Sequence, residues 1–147
     1  MTCFWDGILY HLTTDDYKKF KFRKPSTARE LCSYLKHHNR RTPSVMWNNE
    51  SLMDKQMDEN FEAISQHTFS NDGYDCSISD PFLFLVSELF KVNIVHDTCC
   101  SLIRYDCENS IRVLHFVSNK HHFWHSNGKQ YNKKHKKNKK NKNYLNI

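Results

Sequence analysis

The sequence has few of the residues that interrupt regular structure: three glycines and three prolines in 147 residues. A β-sandwich with many tight turns uses both residues repeatedly, so their scarcity argues against that fold class. Long apolar runs are also missing, and the longest, residues 82–86, is far too short to cross a bilayer. The N-terminus has neither the basic segment nor the apolar stretch of a secretion signal. We therefore expect a soluble intracellular protein with free thiols and no membrane association.

The six cysteines are not arranged in the C-x-x-C pairs that bring two zinc ligands together on one turn. Cysteines and histidines do crowd into residues 99–125, where they are Cys99, Cys100, Cys107, His115, His121, His122 and His125. Adjacent Cys99 and Cys100 would point to opposite faces of a strand, which does not favour shared coordination. We therefore expect no metal and no other cofactor, and zinc is the less favoured alternative.

Positive charge is concentrated near the end of the chain. Residues 129–147 hold eight of the 22 lysines and arginines and no acidic residue, so residues 1–128 carry 14 basic and 16 acidic side chains, a net charge of −2. A Lys- and Asn-rich tract cannot bury a core, so we predict a folded domain over 1–128 and a disordered tail over 129–147. The tail suits weak, nonspecific and salt-dependent binding of nucleic acid, or nuclear import.

Helices are predicted in the first two thirds of the chain. The opening dozen residues form one apolar helical face, made of Phe4, Ile8, Leu9 and Leu12. Thr27 and Glu30 form a capping box before a helix that should end near residues 38–39. An apolar stripe indicates a helix over 50–66, and Asp80 followed by Pro81 predicts the cap and first residue of a buried helix.

The pattern then changes to short strands rich in β-branched and aromatic residues, at 92–95, 101–105, 111–117 and 122–125. Residues 106–110 fit a hairpin loop between the second and third of these strands, and residues 70–74 fit a turn. Helices followed by a small, mostly antiparallel sheet predict an α+β domain.

Cys3 is the first candidate for chemistry. At the first turn of a helix, unpaired N–H groups and the positive end of the helix dipole favour the thiolate, which is the nucleophilic form of cysteine. Residues 120–125 contain His121, His122 and His125, any of which could supply a base. The alternative is that Cys3 is a small apolar residue of the core.

The order of these features resembles the ovarian-tumour (OTU) family of papain-like cysteine proteases, particularly its compact viral members. Cys3-Phe4-Trp5-Asp6-Gly7-Ile8 is similar to the segment with which that family's nucleophile opens a helix. A helix at 80–90 then leads into a strand at 92–95, and the late pair His122-Phe123 resembles the catalytic histidine and the aromatic residue after it. The resemblance spans roughly residues 2–126. It implies a compact papain-like fold, Cys3 as nucleophile and His122 as base.

Three points of the assignment stay open. His121 is the rival base, because neighbours on a strand face opposite ways and only one of the two can reach Cys3. Family members usually have a loop with Asp and Gly before the cysteine, whereas Met1 and Thr2 precede Cys3 here. Many also have Asp or Asn two residues after the histidine, where this sequence has Trp124. We therefore expect a Cys–His dyad, or a triad in which Asn127 or another polar residue is the third member.

The resemblance implies a thiol protease that cleaves ubiquitin or a ubiquitin-like modifier from proteins, with processing of a viral polyprotein as a further role. A viral origin would place it in the host cytoplasm. One alternative is a catalytically inactive OTU-like module that binds ubiquitin or another partner. The other is a nucleic-acid-associated protein with a basic tail, in which Cys3 is structural.

Overall fold

The computed structural model describes residues 2–70 and 78–126. The helices there are α1 Cys3–His11, α2 Thr14–Lys18, α3 Ala28–His37, α4 Asp54–Gln66 and α5 Ser79–Phe90. The strands there are β1 Val45–Trp47, β2 Glu50–Ser51, β3 Asn93–Asp97, β4 Leu102–Cys107, β5 Val113–Ser118 and β6 Phe123–Ser126. Most of the predicted turn at 70–74, Asn127 and the predicted tail lie outside the described residues. Of the helices in the described ranges, none combines the length and hydrophobicity that crossing a membrane requires.

The helices form where local signals predict them. Cys3 is the first residue of α1, as expected, and Phe4 and Ile8 on its apolar face are buried. Thr27 caps α3 by accepting a hydrogen bond from the Glu30 N–H at 3.1 Å. The predicted helix over 50–66 begins four residues late, because residues 50–51 form β2.

The prediction that Asp80 caps the N-terminus of α5 is wrong. The helix begins at Ser79, so Asp80 lies inside its first turn and is not the cap. The Asp80 carboxylate instead accepts a hydrogen bond from the Tyr105 hydroxyl of β4. Tertiary contact with the sheet therefore determines the role of this carboxylate. At its other end α5 stops at Lys91, whose backbone adopts the left-handed conformation that turns the chain into β3.

The strands form one sheet in the order β2-β1-β4-β3-β5-β6, in which only the β3–β5 pair is parallel. Tyr105 of β4 packs against Phe84 of α5, and Phe123 of β6 packs against Phe4 of α1. The strand registers place Tyr105 and Phe123 on the same face of the sheet, so both helices cover that face. The predicted α+β class with a mostly antiparallel sheet is confirmed.

The predicted hairpin over 106–110 is wrong. β4 and β5 are not neighbours, because β3 lies between them and pairs with both. β3 is the strand with three consecutive buried residues, Ile94, Val95 and His96, which explains its central position. The segment after β4 therefore crosses the end of β3, where the Asn93 side chain accepts a hydrogen bond from the Cys107 N–H at 2.8 Å.

The β1–β2 hairpin was missed by the sequence interpretation. Its two-residue loop is Asn48-Asn49, and both residues have positive φ angles, 49° and 69°. Asparagine tolerates this conformation, which a tight two-residue hairpin loop requires. The Asn-Asn pair was the available signal, but strands of three and two residues are too short to show alternation.

A buried carboxylate connects α5 to the chain before β1. The Glu88 side chain is 3% exposed and accepts a hydrogen bond from the Ser44 N–H at 2.9 Å. It also pairs with Lys91 at 3.5 Å. We predict that Glu88→Ala lowers the free energy of unfolding by about 2–3 kcal/mol, because the Ser44 N–H loses its acceptor. Glu88→Gln keeps an acceptor oxygen and should cost less than half as much in urea denaturation. Equal losses for the two variants would contradict this account.

Candidate active site

Cys3 lies where α1 begins and packs beside the start of β6. Its side chain is half-buried, and its Sγ accepts a hydrogen bond from the Phe123 N–H at 3.3 Å. No side chain caps the N-terminus of α1, and the Thr2 hydroxyl donates to the Asp6 carboxylate instead. The structure therefore brings the first helix and the last hairpin together at the candidate nucleophile.

Aromatic packing fixes this meeting of α1 and β6. The rings of Phe4 and Phe123 are 4.8 Å apart in an edge-to-face arrangement, and both side chains are buried. Gly7, one turn after Cys3, lies against the rings of Phe116 and Phe123, where an added Cβ would be 3.4 Å from each. The absence of a side chain at Gly7 lets α1 approach the sheet closely.

The other described cysteines are buried or lie elsewhere. Burial raises the pKa of Cys32 to about 11, and burial also raises the pKa of Cys107. At neutral pH both are held as thiols, which are far less nucleophilic than thiolates. Cys99 and Cys100 are exposed in the turn between β3 and β4. These four cysteines and Cys3 are free thiols.

His121 and His122 lie in the turn between β5 and β6, and neither is in a strand. The Asn119 side-chain oxygen accepts hydrogen bonds from the backbone N–H groups of both histidines, each at 2.9 Å. Asn119 N–H in turn donates to the His122 carbonyl at 2.9 Å. These bonds close the turn one residue later than predicted, so β6 begins at Phe123. The argument that strand alternation separates His121 from His122 therefore does not apply.

The peptide bond between His122 and Phe123 contacts Cys3 through its N–H, whereas the His122 imidazole does not. The side chain is exposed, and its ring centroid is 6.2 Å from that of Trp124. Trp124 alternates with Phe123, so it lies on the face of the sheet opposite the helices. Among the described residues, no imidazole forms a hydrogen bond with Cys3 Sγ. The assignment of His122 as base stays a prediction, and its proposed third partner Asn127 is outside the described residues.

A buried histidine that the sequence interpretation missed lies below this site. His96 on β3 is 2% exposed, its Nε2 forms a 2.7 Å hydrogen bond with Ser118 Oγ, and its ring centroid is 5.1 Å from that of Phe123. Its Nδ1 has no hydrogen-bond partner in the described residues. Burial lowers the pKa of His96 to about 4, so the imidazole is neutral at physiological pH. The sequence signal for the burial of His96 was its position between Val95 and Asp97 in a strand.

Other histidines join α1 to the sheet. His11 Nε2 donates to the His115 carbonyl at 2.8 Å, and the His125 ring stacks on Tyr10 at 3.6 Å. Burial lowers the pKa of His11, and nearby His125 contributes in the same direction. Arg112 donates to the His11 carbonyl at 3.0 Å, so this cluster ties the end of α1 to the segment before β5. Its visible role is structural.

In the described residues, no group of three or more His, Cys, Asp or Glu side chains could hold a metal ion. Nothing there supports the zinc alternative. The premise about Cys99 and Cys100 was nevertheless wrong. Cys99 and Cys100 lie in a turn in which the Thr98 hydroxyl accepts hydrogen bonds from the N–H groups of Cys100 and Ser101. The Sγ atoms of the two cysteines are on the same side of this turn, 3.2 Å apart.

Comparison with known proteins finds no matching family model, no similar curated protein and no similar solved structure. The OTU resemblance consequently depends on the residues and their order along this chain.

The buried His96 makes a pH-dependent contribution to stability. Its pKa in the folded protein is lower than the ordinary value of 6.5, so the unfolded chain binds the proton more tightly. Stability contributed by the neutral form is complete above pH 6.5 and is lost as the pH falls from 6.5 towards 4. We predict a total loss of about 3 kcal/mol over this interval, since each pKa unit corresponds to about 1.4 kcal/mol.

Urea denaturation at several pH values between these limits measures the effect. His96→Asn removes the titrating group. The free energy of unfolding of this variant should therefore lose about 3 kcal/mol less than that of the wild type between pH 6.5 and 4, whatever the substitution itself costs in stability. His37→Asn, at an exposed position at the end of α3, is the matched control and should leave the slope unchanged. If His96→Asn kept the wild-type slope, the buried imidazole would not be its source.

Proposed function

We propose that this chain is an OTU-like thiol protease in which Cys3 attacks the carbonyl that joins ubiquitin, or a ubiquitin-like modifier, to an amine. The hydrogen bond from Phe123 N–H to Cys3 Sγ carries the proposal. It joins residues 120 positions apart and brings the peptide that follows His122 to the sulfur. From the sequence, the resemblance selected Cys3 and His122, the residue directly before Phe123.

The position of Cys3 supports nucleophilic chemistry in three ways. The thiol is half-buried and reachable from solvent, whereas Cys32 and Cys107 are buried. It is the first residue of a nine-residue helix whose N-terminal N–H groups have no side-chain cap. A backbone N–H donor already contacts the sulfur, and such donors stabilise negative charge.

The reaction proceeds in two steps. Cys3 Sγ attacks the carbonyl carbon while the histidine takes the thiol proton, and the histidine then gives this proton to the departing amine. The products are the free amine and a thioester on Cys3. Water attacks the thioester with the histidine as base, which releases the modifier's carboxylate and restores the thiol.

For this mechanism an imidazole must come to the sulfur. Both candidates are on the exposed turn over 119–122, so a change in the His122 side-chain torsions or in the turn is required. Catalytic hydrogen bonds are often long or misaligned without substrate and tighten in the complex. We infer that bound substrate would hold the turn against α1 in the productive arrangement.

The separation of thiol and imidazole favours a second candidate function. A protein that keeps the fold and the binding surface but never aligns His122 with Cys3 would bind the modifier without cleaving it. The supporting observation is the exposed His122 ring beside Trp124. Binding and bond cleavage are separable by experiment.

Labelling with a ubiquitin whose C-terminus carries a thiol-reactive group tests the first function. We predict one adduct per chain, attached to Cys3 and absent in Cys3→Ala. Cys99→Ser changes an exposed thiol outside the site and should keep the adduct, which mass spectrometry can count. Absence of an adduct despite measurable binding of unmodified ubiquitin would favour the inactive module, and absence of both would reject ubiquitin as the partner.

Histidine variants identify the base. We predict that His122→Ala lowers the labelling rate by about 10²–10⁴-fold, the range expected for loss of a general base. His121→Ala is the matched control, because it changes a neighbouring exposed histidine of the same turn, and it should retain most of the rate. The reverse result would assign the base to His121. Rates unaffected by either change would reject both assignments.

A further inference from the structure

A basic groove lies on the opposite side of α3 from the sheet. Its volume is about 850 Å³, and its walls are residues 22–26 and the outward face of α3. A smaller cavity of about 430 Å³ shares Lys24, Pro25 and Ser26 with it and continues to Leu9 and Tyr10 of α1. The two cavities thus meet along one short segment of chain, and neither includes Cys3.

The groove contains cations that form no ion pair within the described residues. Elsewhere in the described residues the cations Lys18, Arg41, Lys91, Arg104 and Arg112 each form an ion pair. Arg23, Lys24 and Arg29 line the groove, and none of them forms an ion pair within the described ranges. These three cations lie together along one groove, which makes it a local positive site.

The acidic residue of the groove does not neutralise this charge. The Glu30 carboxylate accepts hydrogen bonds from the Ser26 N–H at 2.8 Å and from the Ser26 hydroxyl at 2.9 Å. These bonds lower the pKa of Glu30, to which nearby Arg23 also contributes. The groove therefore holds one carboxylate and three cationic side chains. The guanidinium of Arg29 lies 4.8 Å from the centre of the Phe69 ring.

Exposed aromatic rings accompany the cations. Phe22 is 47% exposed, and its ring is held edge-on by Tyr34 at 5.2 Å and by His38 at 5.5 Å. Tyr10, at the far end of the smaller cavity, is 64% exposed and stacks on His125. Both rings are supported from one side by other rings, so each presents an ordered surface to solvent.

We propose that this groove binds single-stranded nucleic acid, with phosphates on Arg23, Lys24 and Arg29 and bases stacked on Phe22 and Tyr10. Single-stranded nucleic acids are bound by this combination of a positive groove that follows the backbone and aromatic rings that accept bases. An acidic peptide would satisfy the cations but would leave the exposed rings without planar partners. The residues of the groove all precede the predicted tail in the sequence, and the proposal does not depend on the protease proposal.

The test uses the full chain with the lysines of residues 129–147 changed to glutamine, so that tail attraction is removed. The probe is a fluorescein-labelled oligouridylate of about eight nucleotides, a length within the range that single-strand binding sites cover. Fluorescence anisotropy measures affinity between about 50 and 200 mM salt. Three neutralised phosphates predict a slope of about −2 for the logarithm of affinity against that of salt concentration.

Variants of the groove should change this binding in different ways. Arg23→Gln combined with Lys24→Gln should reduce the slope to about −0.7, because one phosphate contact remains. Lys55→Gln removes an exposed lysine of α4 as the matched control and should leave the slope unchanged. Phe22→Leu should lower the affinity by about five- to a hundredfold while it keeps the slope, because it removes stacking and no charge.

Several results would overturn the proposal. Loss of all binding when the tail is neutralised would assign nucleic-acid binding to the tail. Equal slopes for the Arg23/Lys24 variant and the Lys55 control would exclude the groove. Tighter binding of a glutamate-rich peptide than of the oligonucleotide would make the partner an acidic protein. Thermal unfolding of every variant checks the fold, and the Arg23/Lys24 variant still tests the groove if Phe22→Leu destabilises the protein. Cys3→Ala should bind as the parent does, which separates this outcome from that of the protease proposal.

Discussion

The contact between α1 and β6 determines the geometry of the candidate site. Phe4 follows Cys3 and Phe123 follows His122, and the packing of these two buried rings brings their neighbours together. The hydrogen bond from Phe123 N–H to Cys3 Sγ is a consequence of that packing. Burial of two aromatic side chains outweighs the chain entropy of closing so long a loop, because the closure cost grows only slowly with loop length.

The same packing also decides which way His122 faces. β6 pairs with β5 so that Phe123 lies opposite Ser118, which places the Phe123 ring among the helices. A shift of one residue would expose Phe123 and turn its neighbours inward, so the aromatic residue specifies the register. Asn119 then holds the backbone of His122 in the turn. Whether the imidazole reaches the sulfur is therefore decided by the exposed turn over 119–122.

Charge is distributed unevenly over the described residues. Asp58 of α4 pairs with Arg41, and Glu88 of α5 pairs with Lys91. Arg23, Lys24 and Arg29 beside α3 form no ion pair within the described residues, although the first 128 residues carry a net charge of −2. A nearly neutral domain with a local positive groove attracts anions to one place rather than to its whole surface. The candidate thiol site at the start of α1 and the groove beside α3 have no residue in common.

The sequence by itself determined the elements that depend on neighbouring residues. The capping box at Thr27 and Glu30 and the apolar face that begins at Phe4 predicted α3 and α1, because a helix forms its hydrogen bonds within one segment. The position of each strand in the sheet could not be predicted from neighbouring residues in this way. β3 lies between β4 and β5, the two strands that the hairpin predicted over 106–110 would have paired. The strands that flank Asn48-Asn49 are too short to show alternation. Strand pairing joins distant segments, so only the tertiary structure decided that order, the burial of His96 and the meeting of Cys3 with Phe123.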